Sequence, residues 1–197
     1  MAVDNHHDEA EQSTKIGFLI VRHLEDGSYR AGLLVTDETG KPLELRATGA
    51  LRPDPIQALI YGDTLVPTIA EQLCGQPLID SLREQPDVIV ADHEAFLPLH
   101  NDDRPVVYIR RTGQELEVDV DSDVDPQERR SEEVLRPVAG RFEPVVLEFA
   151  RGIEDEARQL LRSKFARLFE AFDLVEPFDR VTKALDMLHE QQSKKGG

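Results

Sequence analysis

Residues 16–51 read IGFLIVRHLEDGSYRAGLLVTDETGKPLELRATGAL, and the punctuation of this stretch decides the fold. Ile16 to Leu24 is apolar at Ile16, Phe18, Leu19, Ile20, Val21 and Leu24, and Asp26-Gly27 closes it with turn chemistry. Tyr29 to Thr36 makes a second strand, and Asp37-Glu38-Thr39-Gly40 a second turn. In Leu43 to Leu51, Leu43, Leu45 and Ala47 share one face, and Glu44, Arg46 and Thr48 the other. Turns this short join neighbours, so the three strands form an antiparallel meander.

Downstream, Pro53 and Pro55 end the meander and a helical section begins near Pro55. Ile56, Leu59, Ile60 and Leu65 have helical spacing, which Gly62 and Pro67 interrupt, so two short helices are expected. Ile69, Leu73, Leu78, Ile79 and Leu82 continue the apolar face across Gly75 and Pro77. Val88-Ile89-Val90-Ala91 is a short buried strand ending at Asp92. Ala95 to Leu99 makes a helical turn and Val106 to Ile109 another strand, paired in parallel through a crossover. The fold class is therefore α/β with a mixed sheet of five or slightly more strands, in the order β-β-β-α-β-α-β.

The rest of the chain is organised around this core, expected over residues 15–110. Residues 1–14 are polar and acidic with little to bury, and disorder is expected there. His6 and His7 beside Asp8 and Glu9 lie on that tail, where a metal site is poorly preorganised. Residues 111–133 are charge-dense and read as a solvated acidic loop, with one edge strand around Leu116 to Val120. Residues 134–192 join the core as a C-terminal unit. Val134 to Phe149 fits either strand or helix. From Ile153 the pattern is helical: Ala157, Leu160, Leu161, Phe165, Leu168, Phe169 and Phe172 follow one stripe. A second helix starts near Pro177 and carries Phe178, Val181, Leu185 and Leu188, which together make a helical hairpin. Residues 193–197 form a frayed tail.

Length and charge bound the function. At 197 residues the chain can build one core without disulfides, and Cys74, its only cysteine, cannot form one internally. The formal charge of -16 repels phosphate backbones, so nucleic acid is a disfavoured partner. Neither a signal peptide nor an apolar membrane-spanning run is visible, and a cytoplasmic location follows.

Tyr61, a helix carrying Glu71, a proline-rich turn and a hydrophobic strand ending in Asp92 follow the meander in that order. The layout resembles a ribonuclease H-like domain and, in detail, endonuclease V. The resemblance covers roughly residues 16–110. It implies that Asp92 and Glu71 hold Mg²⁺ or Mn²⁺, which would activate water for nuclease or phosphoesterase chemistry, with Tyr61 beside them. This chain departs from the family on its first strand, which has no Asp. Arg22 and His23 are the polar residues near that position, and Arg22 would repel a cation.

Asp92-His93-Glu94 is also a candidate by itself. Ligands in open α/β sheets sit beyond the carboxyl ends of strands, and His93 is suited to a general base. The plainer reading has Asp92 capping the following turn, with Glu94 complementing its dipole. Asp121 to Glu132 mimics a calcium loop, but Pro126 stands where the sharp turn needs glycine. No Gly-x-Ser-x-Gly, P-loop or Gly-x-Gly-x-x-Gly is present, and Cys74 reads as a small core residue. His23, His100 and His189 are scattered without partner spacing. The phenylalanines at 165, 169, 172 and 178 cover either the chain's own sheet or a partner, which would be a second protein or a second copy docking on the C-terminal helices. The function expected is a non-enzymatic cytoplasmic accessory protein with a degenerate ribonuclease H-like core. The alternative is a metal-dependent nuclease or phosphoesterase using Asp92 and Glu71, with His93 and Tyr61 in support.

Overall fold

A computed structural model describes residues 14–112, 132–137 and 140–195. The acidic N-terminal tail, the expected edge strand at Leu116 to Val120 and the calcium-loop mimic (all but its last residue, Glu132) lie outside the described residues. The meander forms as expected: β1 (Ile16–His23), β2 (Tyr29–Thr36) and β3 (Pro42–Ala47) pair antiparallel in sequence order. Each hairpin turn holds a glycine with positive φ, Gly27 at 78° and Gly40 at 81°. In the second turn the Asp37 carboxylate accepts the N–H groups of Thr39 and Lys41, which rigidifies the bend.

The chain then crosses back. β4 (Val88–Ala91) pairs parallel to β1, and β5 (Val106–Arg111) pairs parallel to β4. β6 (Glu132–Leu135) and β7 (Val145–Phe149) complete a seven-stranded mixed sheet of order β3-β2-β1-β4-β5-β7-β6. Val145–Phe149 is thus a strand, antiparallel to β5 through five register pairs from Val107↔Phe149 to Arg111↔Val145. Arg111 ends β5 and Glu132 and Glu133 open β6, so the charged segment between is flanked by strands at both ends.

Helices cover both faces. α4 (Asp155–Ala171) and α5 (Glu176–Lys195) lie on one side, where Phe165, Phe169, Phe178, Val181 and Leu185 meet Phe18, Ile20, Val90 and Leu147. Phe18 stands edge-on to Phe172 and Phe178, with ring centroids 6.2 and 5.6 Å apart. α5 approaches β2 so closely that a Cβ on Gly32 would lie 2.6 Å from Val181. Glycine is what lets the helix sit there. The phenylalanine stripe is therefore packed against its own sheet, with Phe165, Phe169 and Phe178 buried and Phe172 half-buried.

The opposite face carries the helical section. α1 (Pro55–Tyr61) ends at Gly62, whose φ of 49° and ψ of -129° break the helix as expected. Beyond it the chain stays helical without the expected interruption at Pro67. A 3-10 turn (Gly62–Thr64), α2 (Leu65–Thr68), a π-helical segment (Ile69–Gly75) and α3 (Gln76–Asp80) run in succession. Pro67 falls within the first turns after the break, where a missing N–H costs least, whereas Pro77 sits inside the continuous run. The wide π turns lie just before Pro77. Ile69, Ala70, Cys74, Leu78 and Ile79 from this section bury against Leu19, Leu33, Ile89 and Ala91. A 3-10 turn (Glu94–Leu99) adds Phe96 and Leu99 to the same core.

Candidate functional site

The strand order places a switch point between β1 and β4. From β1 the chain proceeds outward to β2 and β3, returns to pair β4 against β1, and proceeds outward on the other side to β5. Crevices at the carboxyl ends of such a strand pair are where open α/β sheets bind ligands. Asp92 follows β4 directly at this point. Its backbone N–H donates to the Leu19 carbonyl at 3.1 Å, and its carboxylate accepts the Val21 N–H at 3.3 Å. Burial pushes the Asp92 carboxyl up to about 7, and the Val21 hydrogen bond and the Arg22 charge oppose that shift only in part.

Asp92 does not cap the next turn. His93 does, accepting the Ala95 N–H on Nδ1 at 3.1 Å, while Asp92 turns back to β1. Glu94 occupies the first turn, where its charge complements the dipole. Burial lowers the His93 pKa, so the ring is neutral at pH 7, and the bonded Nδ1 fixes the proton on Nε2. In this state Nε2 donates, and Nδ1 is occupied.

Glu71 lies half-buried in the π-helical segment, which packs against the 3-10 turn following Asp92. Tyr61 closes α1 and is 44% exposed. Among the described residues, no group of three or more His, Cys, Asp or Glu side chains gathers closely enough to hold a metal ion. The side chains of β1 at the end nearest Asp92 are Leu19, Ile20 and Val21, with the Arg22 cation next. A resident, protein-caged divalent cation does not fit this donor set, because such an ion needs several charged oxygen ligands to replace its water.

Two features escaped the sequence. His93 and His100 stand at the two ends of the 3-10 turn and line one cavity of about 470 Å³ together with Glu94, Arg151 and Phe149. Like His93, His100 accepts a backbone N–H on Nδ1, from Val106 at 3.2 Å. The second feature is α1 itself. Asp54 and Gln57 close a capping box around its first turn, yet the helix buries none of its residues. Ile56, Leu59 and Ile60, at i, i+3 and i+4, are 69%, 83% and 75% exposed. The helical spacing expected for them is present, and the face it makes is an open surface. Residues 53–82 carry Asp54, Asp63, Glu71 and Asp80 and no Lys, Arg or His.

No family model matches the chain, and no curated protein matches it either. Solved structures do resemble it. The catalytic domain of human endonuclease V has a TM-score of 0.42 at 15% identity, over 89% of this chain and 85% of that one. Endonuclease V of Ciona intestinalis, bound to DNA containing an inosine followed by a ribo-adenosine, scores 0.38 at 10% identity over 78% of each chain. Argonaute of Marinitoga piezophila with guide RNA scores 0.39 at 12% identity, over 81% of this chain, which spans 27% of that protein. The likeness is one of fold. A likeness at this level carries no activity and no residue's chemistry across. The ribonuclease H-like layout expected from the sequence is present in the strand order itself.

Proposed function

We propose that this chain is a cytoplasmic accessory domain that uses a ribonuclease H-like scaffold for binding, and that α1 is its docking element. One observation carries the reading: a well-capped helix presents Ile56, Leu59 and Ile60 to solvent and gives nothing to its own core. Burial of each such side chain is worth about 1.5–3 kcal/mol, so a capped helix left bare in this way gains by meeting a partner. The acids at 54, 63, 71 and 80, with no base among residues 53–82, select that partner's chemistry. It is an amphipathic segment with an apolar face and a Lys/Arg-rich rim.

A synthetic amphipathic helix with leucines at helical spacing and lysines on its flanks tests this, alongside a counterpart with glutamates in place of the lysines. The basic peptide binds the wild type, weakens steeply with salt, and loses at least tenfold affinity on Leu59→Asp with Ile60→Asp. Equal binding of both peptides, or binding indifferent to the α1 substitutions, contradicts the reading.

The position of Asp92 favours a second reading. An acid at the carboxyl end of the switch-point strand suits a divalent-metal-dependent nuclease or phosphoesterase, with Asp92 and Glu71 as the ligands of Mg²⁺ or Mn²⁺ and substrate phosphates completing the shell. Titration of Mn²⁺ into the wild type and into a variant lacking both carboxylates separates the two readings.

A further inference from the structure

Neither reading uses the cavity along the 3-10 turn Glu94–Leu99. Its walls are Pro67, Ala95, Leu97, Pro98 and Phe149 on the apolar side, with His93, Glu94, His100 and Arg151 as the polar groups. At about 470 Å³ it falls within the range of about 300–1,000 Å³ that holds a small organic molecule.

The polar groups are mostly donors. Both histidines spend Nδ1 on a backbone N–H, from Ala95 at 3.1 Å and from Val106 at 3.2 Å. A neutral imidazole that accepts on one nitrogen must carry its proton on the other, so each ring offers an Nε2–H donor. Arg151 adds a permanent cation with a planar fork of donors, and it enters no ion pair among the described residues. Glu94 is the single carboxylate on the wall and supplies an acceptor. His100 and Arg151 also line the neighbouring cavity of about 630 Å³, toward Gly152, Ala157 and Leu161. These two residues therefore stand where the two hollows meet.

We infer that this cavity binds a small molecule bearing an oxyanion, a phosphate ester or a carboxylate, through Arg151, His100 and His93. The oxyanion takes the bidentate fork of Arg151 with the His100 Nε2–H, the His93 Nε2–H at the other end of the turn donates to a second oxygen of the ligand, and the apolar wall receives the carbon skeleton. Glu94 accepts from a donor group of the ligand. The local balance of donors overcomes the chain's negative field because the contacts are short-ranged, whereas exposed charges farther off are screened within about 10 Å at ordinary salt. The inference stands apart from the role of α1, and neither depends on the other.

Calorimetric titration of the full chain with glycerol 3-phosphate, succinate and glycerol tests it, with Arg151→Ala as the first variant because that side chain is exposed and its loss spares the core. Glycerol 3-phosphate or succinate is expected to bind saturably at millimolar concentration, glycerol not at all, and Arg151→Ala to weaken the anion about tenfold. Tighter binding of the phosphate assigns a phosphate ester, and tighter binding of succinate assigns a carboxylate of the same class. His100→Gln, with folding checked by its thermal transition, gives a second independent loss. The absence of saturable binding by either anion, or binding unchanged in both variants, overturns the inference.

Discussion

Asp92 is a carboxyl group held near pH 7 by burial, with one backbone hydrogen bond to its charged form. Unfolded, it titrates near the ordinary 3.8, so the folded protein holds the extra proton between those two values. Its contribution to stability is fully present below about pH 4 and is lost as the pH rises through about 7. Asp92→Asn keeps an acceptor for the Val21 N–H and never ionises. Denaturant unfolding should therefore find the variant more stable at pH 8, by about 1–3 kcal/mol, and close to wild type at pH 4. A variant less stable than wild type at pH 8 would show that the charged carboxylate is itself held by a favourable partner. Cys74 gives a second residue-scale expectation. Its thiol is fully buried and pushed up to about 11 by that burial, so a thiol reagent at pH 8 should label it only at the rate of unfolding. The core role of Cys74 was legible in sequence because an apolar helical face surrounded it. The turn of Asp92 toward β1 was not legible, because a cap and a cross-strand hydrogen bond draw on the same residue types.

The two amphipathic surfaces look alike as patterns and behave oppositely as elements. Phe165 and Phe169 are fully buried, whereas Leu59 and Ile60 are open to solvent. Phe169→Ala should cost about 3–5 kcal/mol of unfolding free energy, while Leu59→Ala should shift it by no more than about 0.5 kcal/mol. Equal costs would place α1 in a core. Periodicity reveals that a helix has an apolar face but not what meets it. The spacing of Ile56, Leu59 and Ile60 therefore predicts a helix without saying what covers it, and the phenylalanine stripe fits a sheet or a partner equally well. The strands were legible for a different reason. Asp26-Gly27 and Asp37 to Gly40 demand tight turns, and tight turns leave only adjacent antiparallel pairing. The His93 and His100 pair escaped notice because the 3-10 turn, not any sequence spacing rule, aligns them on one cavity.

At the scale of the whole molecule, the described sheet has the strand order 3-2-1-4-5 expected from the sequence, with two further strands beyond it. The meander and the two parallel strands were readable from short apolar runs and turn residues. The two added strands were not, because Val134 to Phe149 is too short a pattern to separate strand from helix, and pairing with β5 decides it. What distinguishes this sheet chemically is the junction of β1 and β4, where Leu19, Ile20 and Val21 stand beside a single acid. The accessory reading proposed above requires that this junction serve the fold and not a metal centre. The most direct measurement is a calorimetric titration of Mn²⁺ into the wild type and into the Asp92→Ala, Glu71→Ala double variant at pH 7.5. The account predicts the same weak, non-saturating heats from both proteins. Saturable binding by the wild type that vanishes in the double variant would contradict it and return the nuclease reading to first place.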